Sequence, residues 1–309
     1  MQASRPGVAL IVGAGDAIGA SIARAFSREG LTVALARRAR HADKLEGLAS
    51  EISAAGGRAV AMPTDARDPE AVAALFARAE ELGELELVVH NIGGNVKRAV
   101  EATTPDVYRK VWELVSYSAF HCGKEAAERM GPRGRGTLIF TGATASLRGS
   151  AGFSAFASAM AAKRALAQSL ACELGPKGVH VAHVSIDGPV RTPFVRELLG
   201  PERFEAASAS EGLLLPEHIG EQCVGRLPSH LTGFACSDIS LVNCPGTSGC
   251  IGSTALRGLT SSTCALGASR PGLAEAPARG CEQEHICTSA SYIVSCAVRR
   301  DVSVTRVCP

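Results

Sequence analysis

Three glycines, Gly13, Gly15 and Gly19, follow an apolar run at residues 8–12 and lead straight into an amphipathic pattern. Strand, glycine turn and helix N-terminus in that order make a cradle for a phosphate. Glycine lets the backbone bend tightly and lets an anion approach without meeting a Cβ. The free N–H groups and positive dipole end of the helix then bind that anion. An ordinary turn between a strand and a helix has the same outline. The strand before and the helix after, however, supply the context that a bare glycine pattern lacks. The chemistry to expect is dinucleotide binding. Other reactive side chains are scattered: His90, His180 and His183 fall on or beside strand patterns, and Cys122 and Cys172 fall on helix patterns. Packing is the expected role of these five.

The elements that must position the glycine turn alternate regularly. Strand patterns at 8–12, 32–36, 59–62, 85–90, 136–141 and 179–186 are interleaved with helix patterns at 17–29, 44–55, 69–82, 105–130 and 152–174. Gly56-Gly57 closes one helix, and Pro69 suits the first turn of the next. The fourth strand is apolar through its middle, as a strand covered on both faces must be. This succession predicts an α/β fold, a doubly wound parallel sheet of Rossmann type with right-handed crossovers. Residues 188–218 then form a loop with short helices over the carboxyl edge of the sheet.

Composition narrows the function classes. The chain has 309 residues, a formal charge of +2 and interspersed charges. Nothing in it suggests a nucleic-acid or membrane surface. The N-terminal apolar run is too short to span a bilayer and lacks a signal-peptide cleavage pattern, so a soluble cytoplasmic protein is expected. Nine of the 11 cysteines lie within the last 89 residues. No Cys-x-x-Cys pair marks a zinc ribbon there, and no metal site is expected. That segment, 221–309, is rich in Ser, Gly, Thr and Pro and shows no sustained period. It is expected to be a poorly specified tail unrelated to the domain at 1–220, arising from out-of-frame or unspliced coding sequence.

Across residues 7–220 the chain resembles the short-chain dehydrogenase/reductase family. The glycine loop runs Gly13-Ala-Gly-Asp-Ala-Ile-Gly19, Asp65 follows the third strand, and His90-Asn91-Ile92-Gly93 stands where the family has Asn-Asn-Ala-Gly. After the sixth strand, Asp187-Gly188-Pro189-Val190-Arg191-Thr192 is similar to the family's Pro-Gly-x-x-x-Thr turn. The resemblance implies a cofactor site at Gly13, Gly15, Asp16, Ile18, Gly19, Arg37, Asp65, Ala66, Asn91, Gly93, Gly188, Val190 and Thr192. Asp65 would meet the adenine amino group, and the Gly188–Thr192 turn would cradle the nicotinamide ribose and amide. The second strand ends in Ala36-Arg37-Arg38. A small residue where NAD-preferring relatives carry an acid, followed by Arg37, leaves room and charge for a 2′-phosphate. NADP is therefore favoured over NAD, although Asp16 stands where many NADP enzymes place a basic residue.

The catalytic half departs from the family. Its Tyr, which exchanges the substrate proton, falls at Phe156, and its Lys, four residues on, falls at Met160. Thirteen residues before Phe156, the Ser position holds Ala143, and the relay Asn position holds Val115. None of these four side chains can transfer a proton or carry charge. Thr144, and less so Thr141, could still orient a carbonyl, and Lys163 lies one helical turn beyond Met160, where a solvated helix face is expected. Phe153, Phe156 and Phe194 suggest an apolar pocket wall for a small-molecule substrate.

Three readings remain open at this point. They are an NAD(P)-dependent oxidoreductase with an altered relay, a non-catalytic dinucleotide-binding sensor or subunit partner, and an inactive gene product. No match to the family's seventh strand is evident after Gln222, so the sheet edge is expected to stay open. The helices at 105–130 and 152–174 could form a two-fold interface between copies.

Overall fold

A computed structural model describes residues 7–210, 212–225, 236–242 and 250–255. The strands are β1 (Gly7–Val12), β2 (Thr32–Arg37), β3 (Arg58–Pro63), β4 (Glu84–His90), β5 (Gly136–Ala143) and β6 (Val179–Asp187). Two more follow, β7 (Cys236–Val242) and β8 (Cys250–Ala255). They form one sheet in the order β3-β2-β1-β4-β5-β6-β7-β8, parallel except for β8. The strand order reverses between β1 and β4, which opens a crevice at their carboxyl ends.

Helices cover both faces. α1 (Ile18–Arg28), α2 (Ala42–Ala54) and α3 (Pro69–Leu82) follow the first three strands. Alternation along β1 divides the core: Ala9 and Ile11 pack with Ile22 and Phe26 of α1 and Leu45 of α2. Val8, Leu10 and Val12 pack on the opposite face with Phe76 of α3. Asp68 caps α3 by accepting from the backbone N–H of Glu70 and Ala71, and Pro69 occupies the first turn. Beyond β4 the helical stretch consists of α4 (Pro105–Trp112), a π-helical turn at Glu113–Tyr117 and α5 (Ser118–Arg133). The expected single helix at 105–130 thus carries a widened turn at Val115, a feature that recurs near functional sites. α6 (Ser154–Leu174) lies between β5 and β6.

The segment over the carboxyl edge contains α7 (Pro193–Leu199), α8 (Pro201–Ala209) and α9 (Pro216–Val224). Two expectations for the C-terminal part are corrected. α9 runs through residue 220 without a break, and its Ile219 and Cys223 are buried in the core shared with α1. The edge of β6 is not open either, because β7 pairs along it from Val181↔Cys236 to Asp187↔Val242. Ile239 and Leu241 alternate with polar residues in Cys236–Val242, a period-two signal too short to stand out in that composition. The unpaired backbone groups of β6 supply the drive that the local sequence lacks. The expectation of an unrelated tail otherwise falls on 226–235, 243–249 and 256–309, which lie outside the described residues. No helix among the described residues is long and apolar enough to cross a membrane.

Candidate active site

The glycine turn fits a phosphate cradle on steric grounds. Gly13 has φ +101°, and a Cβ there would lie 2.4 Å from the Asn91 carbonyl oxygen. A Cβ on Gly19 would lie 2.3 Å from the Gly13 oxygen. Only glycine therefore lets turn, helix and β4 close on one another. The backbone N–H groups of Gly13 and Ala14 both donate to Ala36 O, which ties the turn to the end of β2. Asn91 adds a stitch from the other side, with its N–H donating to Val12 O and its Nδ2 to Gly13 O at 2.9 Å. α1 begins just past the turn with no side-chain cap and no acidic residue in its first turn, so its N–H groups suit an anion.

A cleft beside this turn is lined by Gly13, Gly15, Arg37, Asp65, Ala66, Asn91 and Gly93 together with Arg38, His41, Thr64 and Leu114. The first seven were expected at a cofactor site; Arg38, His41 and Thr64 extend it along the rim of β2 and β3. The charge arrangement at that rim differs from the simple expectation for Arg37. Arg37 Nη1 donates to Asp16 Oδ1 at 2.6 Å, and Lys44 Nζ donates to Asp16 Oδ2 at 2.8 Å. These two cations hold the Asp16 carboxyl below its ordinary range. Arg67 grips Asp65 in the same way and lowers it as well. Burial and then Arg40 lower Arg38, with Asp65 opposing the shift and Arg67 and Arg37 adding to it. Ile18 packs against the core behind the turn, and Gly19 lies inside it.

Gly188, Val190 and Thr192 stand further along the carboxyl edge and do not line that cleft. Val190 is buried and bridges to Leu214, and Thr192 caps α7 by accepting from Val195 N. The four positions matched by sequence to the family's proton-transfer residues do come together. Val115, Phe156 and Met160 share one apolar cluster, with Ala143 packed against it. Phe153 joins this wall, whereas Phe194 stays 54% exposed on α7 and does not belong to it. Restoring only the family's lysine, with M160K, would place an ammonium in this cluster, where Met160 is 3% exposed. Unfolding experiments should show a loss of about 3–5 kcal/mol, the usual cost of an unpaired buried charge. An unchanged unfolding midpoint would refute the buried placement.

Lys163 corrects the expectation of a solvated helix face. It is fully buried, and its Nζ donates to Ile92 O at 2.8 Å. Burial lowers its amine to about 7. The signal was available in its spacing, because Phe156, Met160, Lys163 and Ala167 fall on one inward face of α6. His90 is also buried and sits far below its ordinary value, because burial and then the nearby Lys163 disfavour its charged form. Ser118 Oγ donates to Leu114 O, which leaves it to accept from His90 Nε2 at 2.9 Å. Thr141 donates to Asn91 Oδ1 and so braces the cofactor-side loop rather than facing a substrate. Cys122 is buried with its thiol pushed up to about 12, but Cys172 is exposed, contrary to expectation.

At the ends of β5 and β6 a second polar contact stands clear of this network. Thr144 Oγ1 donates to Asp187 Oδ1 at 2.5 Å, and Arg148 Nη2 lies 3.8 Å from the same oxygen. Asp187 was legible in the sequence only as the start of a turn. Its contact with Thr144 depends on strand pairing across 43 residues.

An open, mostly parallel sheet with a glycine turn at its switch point defines a Rossmann-type architecture. A family model described as short chain dehydrogenase matches residues 7–202. The chain belongs to that short-chain dehydrogenase family. A solved short-chain dehydrogenase from Rhodopseudomonas palustris is 38% identical, with TM-score 0.63 over 76% of this chain and 98% of that one. A 7α-hydroxysteroid dehydrogenase complexed with NADH and 7-oxoglycochenodeoxycholic acid is 26% identical, with TM-score 0.66 over 72% and 87%. An actinorhodin polyketide ketoreductase variant with NADPH is 25% identical, with TM-score 0.67 over 73% and 91%.

Proposed function

We propose that this chain binds NADP(H) and acts as an oxidoreductase on a carbonyl or alcohol substrate, with a proton relay not built on tyrosine. The observation that carries the reading is the glycine turn, whose Gly13 and Gly19 have backbone where a Cβ would stand. A bound nicotinamide dinucleotide supplies hydride chemistry. The chain's own residues bind and orient it: Gly13 and Gly15 with the α1 N-terminus take the phosphates, Asp65 and Ala66 border the adenine end, and Asn91 and Gly93 form the opposite wall. Gly188, Val190 and Thr192 hold the nicotinamide side.

Preference for NADP is supported by the cations along the rim. Asp16 engages Arg37 and Lys44, so the 2′-phosphate falls to Arg38, which lines the same cleft. Fluorescence titration tests both levels. NADPH should bind more tightly than NADH, and R38A should weaken NADPH by roughly 10- to 100-fold, the value of one or two charge-assisted bonds. NADH binding should change by less than about threefold in that variant. Tighter binding of NADH than NADPH by the unmodified chain would overturn the preference.

The apolar cluster at Val115, Ala143, Phe156 and Met160 supports a second reading, a dinucleotide-binding sensor or subunit partner without turnover. Cofactor oxidation with simple ketones discriminates the two. For assembly, we propose a two-fold homo-oligomer through α4, α5 and α6. Trp112, Tyr117 and Phe120 stack in succession and remain 38–47% exposed along this side. F120D should shift the sedimentation coefficient to that of a monomer, and unchanged sedimentation would count against the interface.

A further inference from the structure

We infer that Thr144 and Asp187 are the proton-handling pair of this site, an assignment that rests on the oxidoreductase reading above. Thr144 holds the oxygen of a carbonyl or alcohol substrate, and Asp187 takes and returns the proton. Their contact is fixed by the sheet. Ala143 pairs with Ile186 at the last rung between β5 and β6, so the next residue of each strand reaches the same point beyond the carboxyl edge. There Thr144 Oγ1 donates to Asp187 Oδ1 at 2.5 Å. Ligands of open parallel sheets lie outside the carboxyl ends of the strands, with one half of a dinucleotide on each side of the switch point. The cleft lined by Arg37, Arg38 and Asp65 belongs to the β1–β3 half. The Thr144–Asp187 pair lies on the β4–β6 half, where the reacting end must fall.

The surroundings match the task. Ala143 and Ala145, on either side of Thr144, pack onto the apolar cluster of Phe156 and Met160. A carbon skeleton resting on that wall would present its oxygen to the hydroxyl between them. The Asp187 side chain is 22% exposed, which gives its carboxyl group a path to water, and Arg148 Nη2 lies 3.8 Å from it. Among the other buried titratable groups, Lys163 is committed to Ile92 O and His90 to Ser118, while His183 packs beside Gly142 and Ser146 at the same end of the sheet. In the reducing direction a bound nicotinamide dinucleotide would supply the hydride that the carbonyl carbon gains, and the substrate oxygen would take the proton of Thr144. Thr144 is refilled from the protonated Asp187 carboxyl, which recovers its proton from solvent, leaving alcohol and NAD(P)⁺. Alcohol oxidation runs the same transfers backwards.

The test uses the full chain with T144V, T144S, D187N and D187E, and cyclohexanone, trans-1-decalone and ethyl acetoacetate as probes. NADPH affinity, read by fluorescence, should be the same in all five proteins to within about threefold. Reduction of the best probe should fall by about 10²–10⁴ in T144V and D187N, the usual value of a positioned acid, while T144S keeps most of it. D187E should recover part of the D187N loss, and D187N should flatten the pH dependence of the wild-type rate. A readout free of turnover comes from the dead-end complex of NADP⁺ with the same ketone, which T144V should weaken about tenfold. Wild-type rates in T144V and D187N would overturn the pair and leave the oxidoreductase reading intact. A wild type that binds NADPH and reduces none of the probes would also overturn the pair. A wild type that binds neither NADPH nor NADH would overturn the underlying reading, and the pair with it.

Discussion

Replacement of Gly13 by valine should abolish dinucleotide binding, lowering NADPH affinity at least 100-fold. Three effects act together at this position. The backbone at φ +101° is strained for any residue with a Cβ, at a cost of roughly 1–3 kcal/mol. The new Cβ would overlap the Asn91 carbonyl oxygen at 2.4 Å and its carbon at 2.7 Å, both backbone atoms that cannot swing aside. Relief would have to separate the turn from β4, which breaks the bonds from Asn91 N to Val12 O and from Asn91 Nδ2 to Gly13 O. Since Gly13 and Asn91 both line the cleft, this opening should disrupt the phosphate cradle itself. G30A separates lost binding from lost stability. Gly30 also has positive φ, +84°, but has nothing within 4 Å of an added Cβ. It should lose stability and keep NADPH affinity. Affinity within tenfold of wild type in G13V would show that the turn does not form the cradle.

The second large effect is a pH-dependent stability carried by Lys163. In the unfolded chain its amine titrates near the ordinary lysine value of about 10.4. In the fold, burial lowers it to about 7. Between these values the unfolded chain binds more protons, so stability contributed by this site must rise with pH. The slope approaches about 1.4 kcal/mol per pH unit, and the full span amounts to about 5 kcal/mol. Below pH 7 both states are protonated, and the penalty for burying the ammonium is constant and complete. K163M removes the titration and also the bond to Ile92 O. The stability of K163M relative to wild type should therefore fall by about 2.5 kcal/mol between pH 7.5 and 9.5, measured by urea unfolding at each pH. Taking this difference cancels the groups that do not interact with Lys163, and His90, which does, is held neutral by its burial across this pH window. A difference that does not vary with pH would mean that Lys163 stays solvated.

The two predictions mark opposite ends of what the chain discloses before it folds. Gly13 was legible because the constraint is local, with an apolar strand, three glycines and an amphipathic helix in immediate succession. Residues that act through local backbone geometry can be found from neighbours in sequence. Lys163 was misread because a cation among alanines on α6 has the composition of a surface residue. Its depth depends on the loop after β4 reaching over it, 71 residues away in sequence. Arg37 illustrates the same limit in a charge. Its place at the end of β2 was clear, but not that Asp16 would engage it across 21 residues.

The sequence by itself therefore determined the succession of strands and helices and the glycine turn between β1 and α1. It also placed Phe156 and Met160 on α6, and neither side chain can carry a proton in any conformation. Tertiary structure alone decided which side-chain ends meet. It buried Lys163, committed Arg37 to Asp16, gave β6 its partner β7 and brought Thr144 onto Asp187. The physical reason is range. Backbone preference and hydrophobic period act over a few residues and are written into local order. A hydrogen bond or ion pair between distant segments, by contrast, is set by sheet register and helix packing, which no local window contains.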